Sequence, residues 1–475
     1  MGIKSDFKQG IFYSAIGKYS NLFIQLGVTA ILARLLVPED FGIVAVINVF
    51  LTFFIMLADM GIGPAIIQKK NLSNSDANSI FNFSIIIAIV LAILFWLLAT
   101  PISIFFSDNI YISIMRLLSV NVLITGLLIV PRSLLLKQKL FAKVNGFSIL
   151  SNVISGIVGV ALAFNDFGFY SLIIMDIVRN FVSFILFYYN VDVKLGTRIF
   201  LKPLKEIYEF SRNQFSFGFV HFFSRNLDRL LIGRFISADT LGFYNQAYTL
   251  SLHPTKLLSG VITPVIQPIM SDYQEDKKEI KRIYLKVTSL LATIGLPLTV
   301  FLFFSATEII IFMLGEQWIN SIPIFRILTL SVWVQLISSS FGAFLQVGNR
   351  TDLLLKSGIL SAVLNVAGIA IAVLFGRAEY VAVAVTITFT INFIQANYFI
   401  MVIMIGAPLR EFLKILIKPA ITATLVGLAM LLFRGVLFNN SFLTLLMRGL
   451  VFIVAFLIGI KATGQMSEIK KSMKK

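Results

Sequence analysis

Residues 80–105 read IFNFSIIIAIVLAILFWLLATPISIF, without one Asp, Glu, Lys, Arg or His. The hydrocarbon core of a bilayer, about 30 Å thick, is crossed by about 20 mostly apolar residues of α-helix. This stretch is long enough to cross it, and in water it would present no polar face to solvate. The rest of the chain repeats the pattern. Apolar runs between polar breaks lie near 11–33, 41–66, 80–105, 113–136, 146–164, 169–189, 213–236, 243–270, 284–313, 323–346, 357–375, 381–404, 416–434 and 443–461. The longest polar connections, 190–212 and 271–283, are too short to fold around a core of their own. Composition agrees: the 475 residues are 58% hydrophobic and 13% charged, with a mean hydropathy of +0.91. Soluble domains carry about 25% charged residues, so a water-soluble enzyme is excluded. The expected fold is an all-α integral membrane protein with about fourteen transmembrane helices.

The net charge of +17 follows from topology. When the connections are assigned alternately to two sides, 27 of the 40 Lys and Arg fall on one side and 7 on the other. The positive-inside rule then puts both termini in the cytoplasm. Nucleic-acid binding is not needed to explain the charge. The first apolar run carries Lys18, Asn21 and Gln25 and lacks a small-residue cleavage site, so it reads as a resident helix. Zero cysteines and two histidines exclude disulfides, thiol chemistry and a Cys/His metal cage.

The chain resembles itself at an offset of 200. Ala33-Arg34-Leu35-Leu36-Val37-Pro38-Glu39-Asp40-Phe41-Gly42 pairs with Gly233-Arg234-Phe235-Ile236-Ser237-Ala238-Asp239-Thr240-Leu241-Gly242. Both read as a helix ending in Arg, a short acidic turn, a Gly and a new helix. A second echo pairs Arg132–Lys137 with Arg350–Lys356. Spans 1–6 therefore match spans 7–12, as two pseudo-symmetric six-helix bundles, and spans 13–14 are an addition. The expected organisation is a bundle at 1–190, a cytoplasmic linker at 191–212, a second bundle at 213–404, and two further helices with a basic tail at 405–475. Parallel repeats of this kind suit an alternating-access carrier whose cargo binds between them.

An ionisable group at membrane depth costs about 2.5–3.5 kcal/mol on insertion scales and should face a cavity or a partner. Ser14, Lys18, Asn21 and Gln25 form one stripe of the first helix, and Gln214, His221, Arg225 and Asp228 form one stripe of the seventh. Asn21 matches His221 and Gln25 matches Arg225 at the repeat offset. Lys18, Asn21, Gln25, His221, Arg225, Arg229 and Lys256 are the candidates for a central, water-accessible cavity. Its cations suit a phosphate-bearing substrate, which Arg grips in bidentate fashion and Lys binds as a point charge. Asp59, Asp228, Asp176, Arg179 and Glu308 are candidates for charge pairing or for coupling to an ion. Asp176 and Arg179, spaced i,i+3, fit a structural pair. His221 fits either a packed core histidine or a proton carrier. Arg34, Arg234 and Arg448, at helix ends, read as headgroup anchors. Pro264 and Pro268 fit either a hinge or a static kink.

Enzyme signatures are missing. Gly17-Lys18 does not complete a P-loop, because Tyr19 stands where Ser or Thr is required. No G-x-S-x-G, H-E-x-x-H or D-x-D occurs. No cofactor is expected, although an H⁺ or Na⁺ gradient or the membrane potential could drive the cycle.

Two segments carry a family resemblance. Ala33–Gly42, with Asp59-Met60-Gly61-Ile62-Gly63 and Ile67-Gln68-Lys69-Lys70, resembles the first two helices of bacterial polysaccharide flippases. Asn226-Leu227-Asp228-Arg229-Leu230-Leu231-Ile232-Gly233-Arg234, then Leu241-Gly242-Phe243-Tyr244, resembles their seventh-helix motif. These are the Wzx-like and teichuronic-acid-exporter-like members of the multidrug/oligosaccharidyl-lipid/polysaccharide (MOP) exporter superfamily. The resemblance implies a V-shaped carrier in the bacterial plasma membrane. Its cargo would be an undecaprenyl-pyrophosphate-linked oligosaccharide, moved from the cytoplasmic to the outer leaflet. It also implies that Asp59 and Asp228-Arg229 line or stabilise the cavity, and that a polysaccharide polymerase and glycosyltransferases are partners alongside membrane lipids. The competing readings are an ion-coupled drug antiporter of the same superfamily and a membrane polymerase or acyltransferase. The excess of buried cations argues against the first. Absent catalytic motifs and absent large loops argue against the second.

Overall fold

A computed structural model describes residues 3–69, 72–194, 196, 200, 222, 226–270, 276–436, 438 and 440–466, with side chains left out at 3–15, 260–270 and 351. Among the described residues the regular structure is entirely helical. The chain forms two compact units, Met1–Gly242 and Phe243–Lys475.

The first unit contains α1 (Ile3–Leu35), α2 (Pro38–Asp59), α3 (Ile62–Gln68), α4 (Asn74–Leu97), α5 (Ala99–Phe106), α6 (Ile110–Lys137), α7 (Phe141–Phe164), α8 (Tyr170–Tyr188), α9 (226–235) and the start of α10 (Ala238–Met270). Helix α6 is its hub, packing on α2, α3, α4, α5 and α8, while α7 lies between α1 and α8. Between helices in lipid, close packing replaces the hydrophobic drive, and small residues permit it. Helix α7 buries Ser151, Ser155, Gly156, Gly159 and Ala163. A Cβ on Gly156 would come within 2.6 Å of Val28 on α1.

The motif at 33–42 is the entry to α2. Pro38 takes the first helical turn, where a missing N–H does no harm. The Asp40 carboxylate accepts from the Val37 N–H at 3.1 Å and, with its other oxygen, from the Phe169 N–H at 3.1 Å. At the repeat offset, Ser237 caps α10 by accepting from the Thr240 N–H at 3.1 Å. Gly42 faces the Ala238 carbonyl and Gly242 faces the Pro38 carbonyl so closely that a Cβ on either glycine would collide with that oxygen.

The second unit continues α10 and adds α11 (Lys277–Phe304), α12 (Ala306–Leu314), α13 (Ser321–Thr329), α14 (Val332–Ser338), α15 (Phe341–Val347), α16 (Thr351–Val373), α17 (Ala378–Tyr398), a π-helical turn (Phe399–Ile405), α18 (Leu409–Leu432) and α19 (Ser441–Ala462). Here α11 packs on α14 and α18, around Tyr284, Phe344, Phe393 and Phe412. The Tyr284 hydroxyl donates to Asn397 Oδ1 at 2.6 Å.

Ten described helices are long and apolar enough to cross a membrane, and a bent pair makes up to eleven. They coincide with expected spans 2–6 and 9–14. The expected spans at 11–33, 213–236 and 243–270 fall wholly or partly on residues described incompletely or not at all, so the full fourteen are not established. The run 323–346, expected as one span, forms α13 and α14–α15 with a bend of 46° between them. Helix α10 runs on through Pro264 and Pro268.

Candidate functional site

In the first unit, α1 divides its polar stripe between two environments. Asn21 is half-buried and accepts from Asn152 Nδ2 on α7 at 2.7 Å. Lys18 and Gln25 are exposed, and Lys18 has no ionic or hydrogen-bonding partner among the described residues. The Asn21–Asn152 bond fixes the rotation of α1 on α7, which leaves the ammonium and the amide open on the same side.

Helix α8 carries Asp176 and Arg179, paired at 2.9 Å. One residue on, Asn180 Nδ2 donates to Asn121 Oδ1 at 2.8 Å and to Thr125 Oγ1 at 3.3 Å on α6. Asp59 closes α2 and caps α3: Met60 and Gly61 turn the chain through left-handed conformations, and the Gly63 N–H donates to Asp59 Oδ1 at 3.2 Å. At the other end of α3, Lys137 Nζ donates to the carbonyls of Ile66, at 3.0 Å, and Lys69. Asp228 on α9 is buried and accepts from the Arg229 N–H at 2.9 Å. The Arg229 guanidinium reaches Asn226 Oδ1 at 3.5 Å. His221 and Arg225 lie outside the described residues.

In the second unit, Lys256 is exposed on α10. Glu308 on α12 and Arg448 on α19 are both buried and pair at 2.7 Å, and Arg448 also donates to the Phe304 carbonyl. This corrects the reading of Arg448 as a headgroup anchor. Charge at that depth is stabilised by a partner and not by snorkelling, since an unpaired ion would carry a desolvation penalty of several kcal/mol.

The candidates therefore fall into two groups. Asp59, Asp176, Arg179, Asp228 and Glu308 are engaged in caps, backbone bonds or ion pairs, while Lys18 and Gln25 present polar ends to open space. The first group braces helices; the second can bind an anion. Sequence reasoning passed over Asn152, Asn180 and Lys137. An Asn in the middle of an apolar run was the available signal for the first two. Among the described residues no group of three or more His, Asp or Glu is placed to hold a metal.

Residues 31–323 match the family described as polysaccharide biosynthesis protein. The chain belongs to that family. It is similar to the teichuronic acid biosynthesis protein TuaB of Bacillus subtilis (strain 168), 26% identical over 432 residues and covering 90% of this chain and 88% of TuaB. It is also similar to the lipopolysaccharide biosynthesis protein WzxC of Escherichia coli (strain K12), 23% identical, with 88% and 86% covered. The fold matches the lipid II flippase MurJ in an inward closed conformation, with a TM-score of 0.76 at 17% identity, covering 97% of this chain and 99% of MurJ. A polysaccharide biosynthesis protein with this fold is a multi-pass membrane protein, and the match reaches almost end to end.

Proposed function

We propose that this polysaccharide biosynthesis protein is a flippase that moves an undecaprenyl-pyrophosphate-linked oligosaccharide from the cytoplasmic to the outer leaflet by alternating access. The observation that carries the reading is the open ammonium of Lys18, two turns from the open Gln25 on α1, which Asn21 ties to α7. With α1 read from the sequence as the first span, a cation within it, in a chain of this family, needs an anionic cargo, and a pyrophosphate supplies one. An oligosaccharide cannot cross hydrocarbon unaided, because each unsatisfied polar group costs several kcal/mol.

The acidic candidates support this reading over an ion-coupled drug antiporter, because Glu308 and Asp176 are each committed to an arginine. No resident cofactor is invoked. Outward movement of negative charge through an inside-negative potential gains about 2.3 kcal/mol per charge per 100 mV, so the potential alone can bias the cycle. On this reading the membrane is the bacterial plasma membrane, and the Lys-rich connections support an orientation with both termini in the cytoplasm. The enzymes that build and polymerise the oligosaccharide are its functional partners.

The test is outer-leaflet accumulation of the lipid-linked oligosaccharide in a depletion strain, complemented at matched expression. Wild-type protein restores it, and Lys18→Ala and Arg225→Ala do not. Unimpeded crossing in the depleted strain, with no second carrier present, overturns the reading.

A further inference from the structure

A second open cation lies away from these candidates. Arg116 on α6 is exposed, and its guanidinium carbon sits 4.6 Å from the ring centroid of Trp96 on α4. Trp96 is 44% exposed, and Ile93 and Val120, one turn away on the same two helices, are 54% and 46% exposed. In a membrane-spanning bundle, an apolar exposed surface of this kind faces lipid. No protein group among the described residues accepts a hydrogen bond from the Arg116 guanidinium.

The second unit provides a control. Arg326 opens the tenth span as Arg116 opens the fourth, and lies 5.7 Å from the Phe303 ring. It is half-buried, and its Nη2 donates to Thr307 Oγ1 at 3.4 Å. Among the described residues the same arrangement thus has a protein acceptor in one unit and none in the other.

A guanidinium carries five N–H donors in one plane. Stacking on an indole occupies a face and leaves the in-plane fork open, in the geometry that matches phosphate oxygens. Arg116 stands six residues into α6, about 9 Å along its axis, while Trp96 closes α4 at the same end. Amphipathic rings toward the end of a span sit between acyl chains and headgroups. We propose that Arg116 and Trp96 form a binding site for the phosphate of an anionic phospholipid. The indole holds the guanidinium level, the fork takes the phosphate, and the exposed aliphatic residues around it take the acyl chains.

Trp96 reports directly on such a lipid. The full-length protein is reconstituted in mixed phosphatidylcholine and phosphatidylglycerol vesicles in which one lipid or the other carries brominated chains. The Trp96 signal is the difference between wild type and Trp96→Phe. Phosphatidylglycerol quenches it with about a fivefold preference, the bias that one basic residue gives near an anionic surface. Arg116→Gln, an exposed substitution that disturbs no core, brings that preference close to one. Equal quenching by the two lipids in the wild type overturns the proposal, as does a preference that survives Arg116→Gln. Neither result bears on whether the protein moves its cargo.

Discussion

Gly42 and Gly242, 200 positions apart, each receive the backbone of the other's helix: Gly42 takes the carbonyl of Ala238, and Gly242 takes the carbonyl of Pro38. Pro38 and Ala238 are themselves equivalent at the same offset, so the contact is its own mirror in the repeat. Only residues without a Cβ allow two helix starts to approach this closely. Gly42→Ala and Gly242→Ala are therefore each expected to lower stability by about 1–3 kcal/mol through overpacking. The double variant should lose less than the sum, because the two sites share one interface. Thermal unfolding in detergent measures both, and additive losses would refute the shared contact.

Glu308 and Arg448 make a different kind of demand. Both are buried, and removing one partner leaves the other as an uncompensated charge. Arg448→Met is expected to lose about 3–5 kcal/mol, and Glu308→Gln/Arg448→Met to recover most of it. If Glu308 instead carried a coupling ion, Glu308→Gln would abolish gradient-driven flux and leave the melting temperature unchanged. Measuring flux and stability together separates the two roles.

What the sequence revealed and what it hid both follow from the range of the interaction. Membrane spans are local properties, so runs such as 80–105 were legible from hydropathy alone. The Gly42–Gly242 repeat was legible as an offset, although the reason for its glycines was not. The break in the run 323–346 was invisible to hydropathy. Ser331 and Ser340 bond back to the carbonyls of Leu328 and Ile337 at the two interruptions, and Ser counts only as mildly polar in any average. The partner of Arg448 lies 140 residues away, so a helix-end Arg could only be read as an anchor. Among the candidate residues, spacing placed Lys18, Asn21 and Gln25 on one stripe. It could not say that Asn152 would take the middle one and leave the other two open.

That division of the α1 stripe predicts opposite behaviour for neighbouring substitutions. Lys18→Gln removes an exposed charge with no partner among the described residues and should leave thermal stability within about 0.5 kcal/mol. Transport of the lipid-linked oligosaccharide should nevertheless fall, and Lys18→Arg should keep more of it than Lys18→Gln. Loss of stability in step with activity would mean that Lys18 is a structural residue.

Asn152→Ala should show the reverse pattern at first order. It removes the donor to Asn21, an interhelical bond in lipid worth about 0.6 kcal/mol on average and up to about 1.7 kcal/mol. The direct loss is small, but α1 is then free to rotate on α7 and turn Lys18 and Gln25 away. A cysteine placed at Gln25 in this cysteine-free chain would read that rotation through its rate of labelling by a water-soluble thiol reagent. The rate should fall in Asn152→Ala and be restored by Asn152→Gln, which keeps the amide donor. An unchanged labelling rate would show that helix packing alone sets the rotation, with Val28 against Gly156 as the contact responsible.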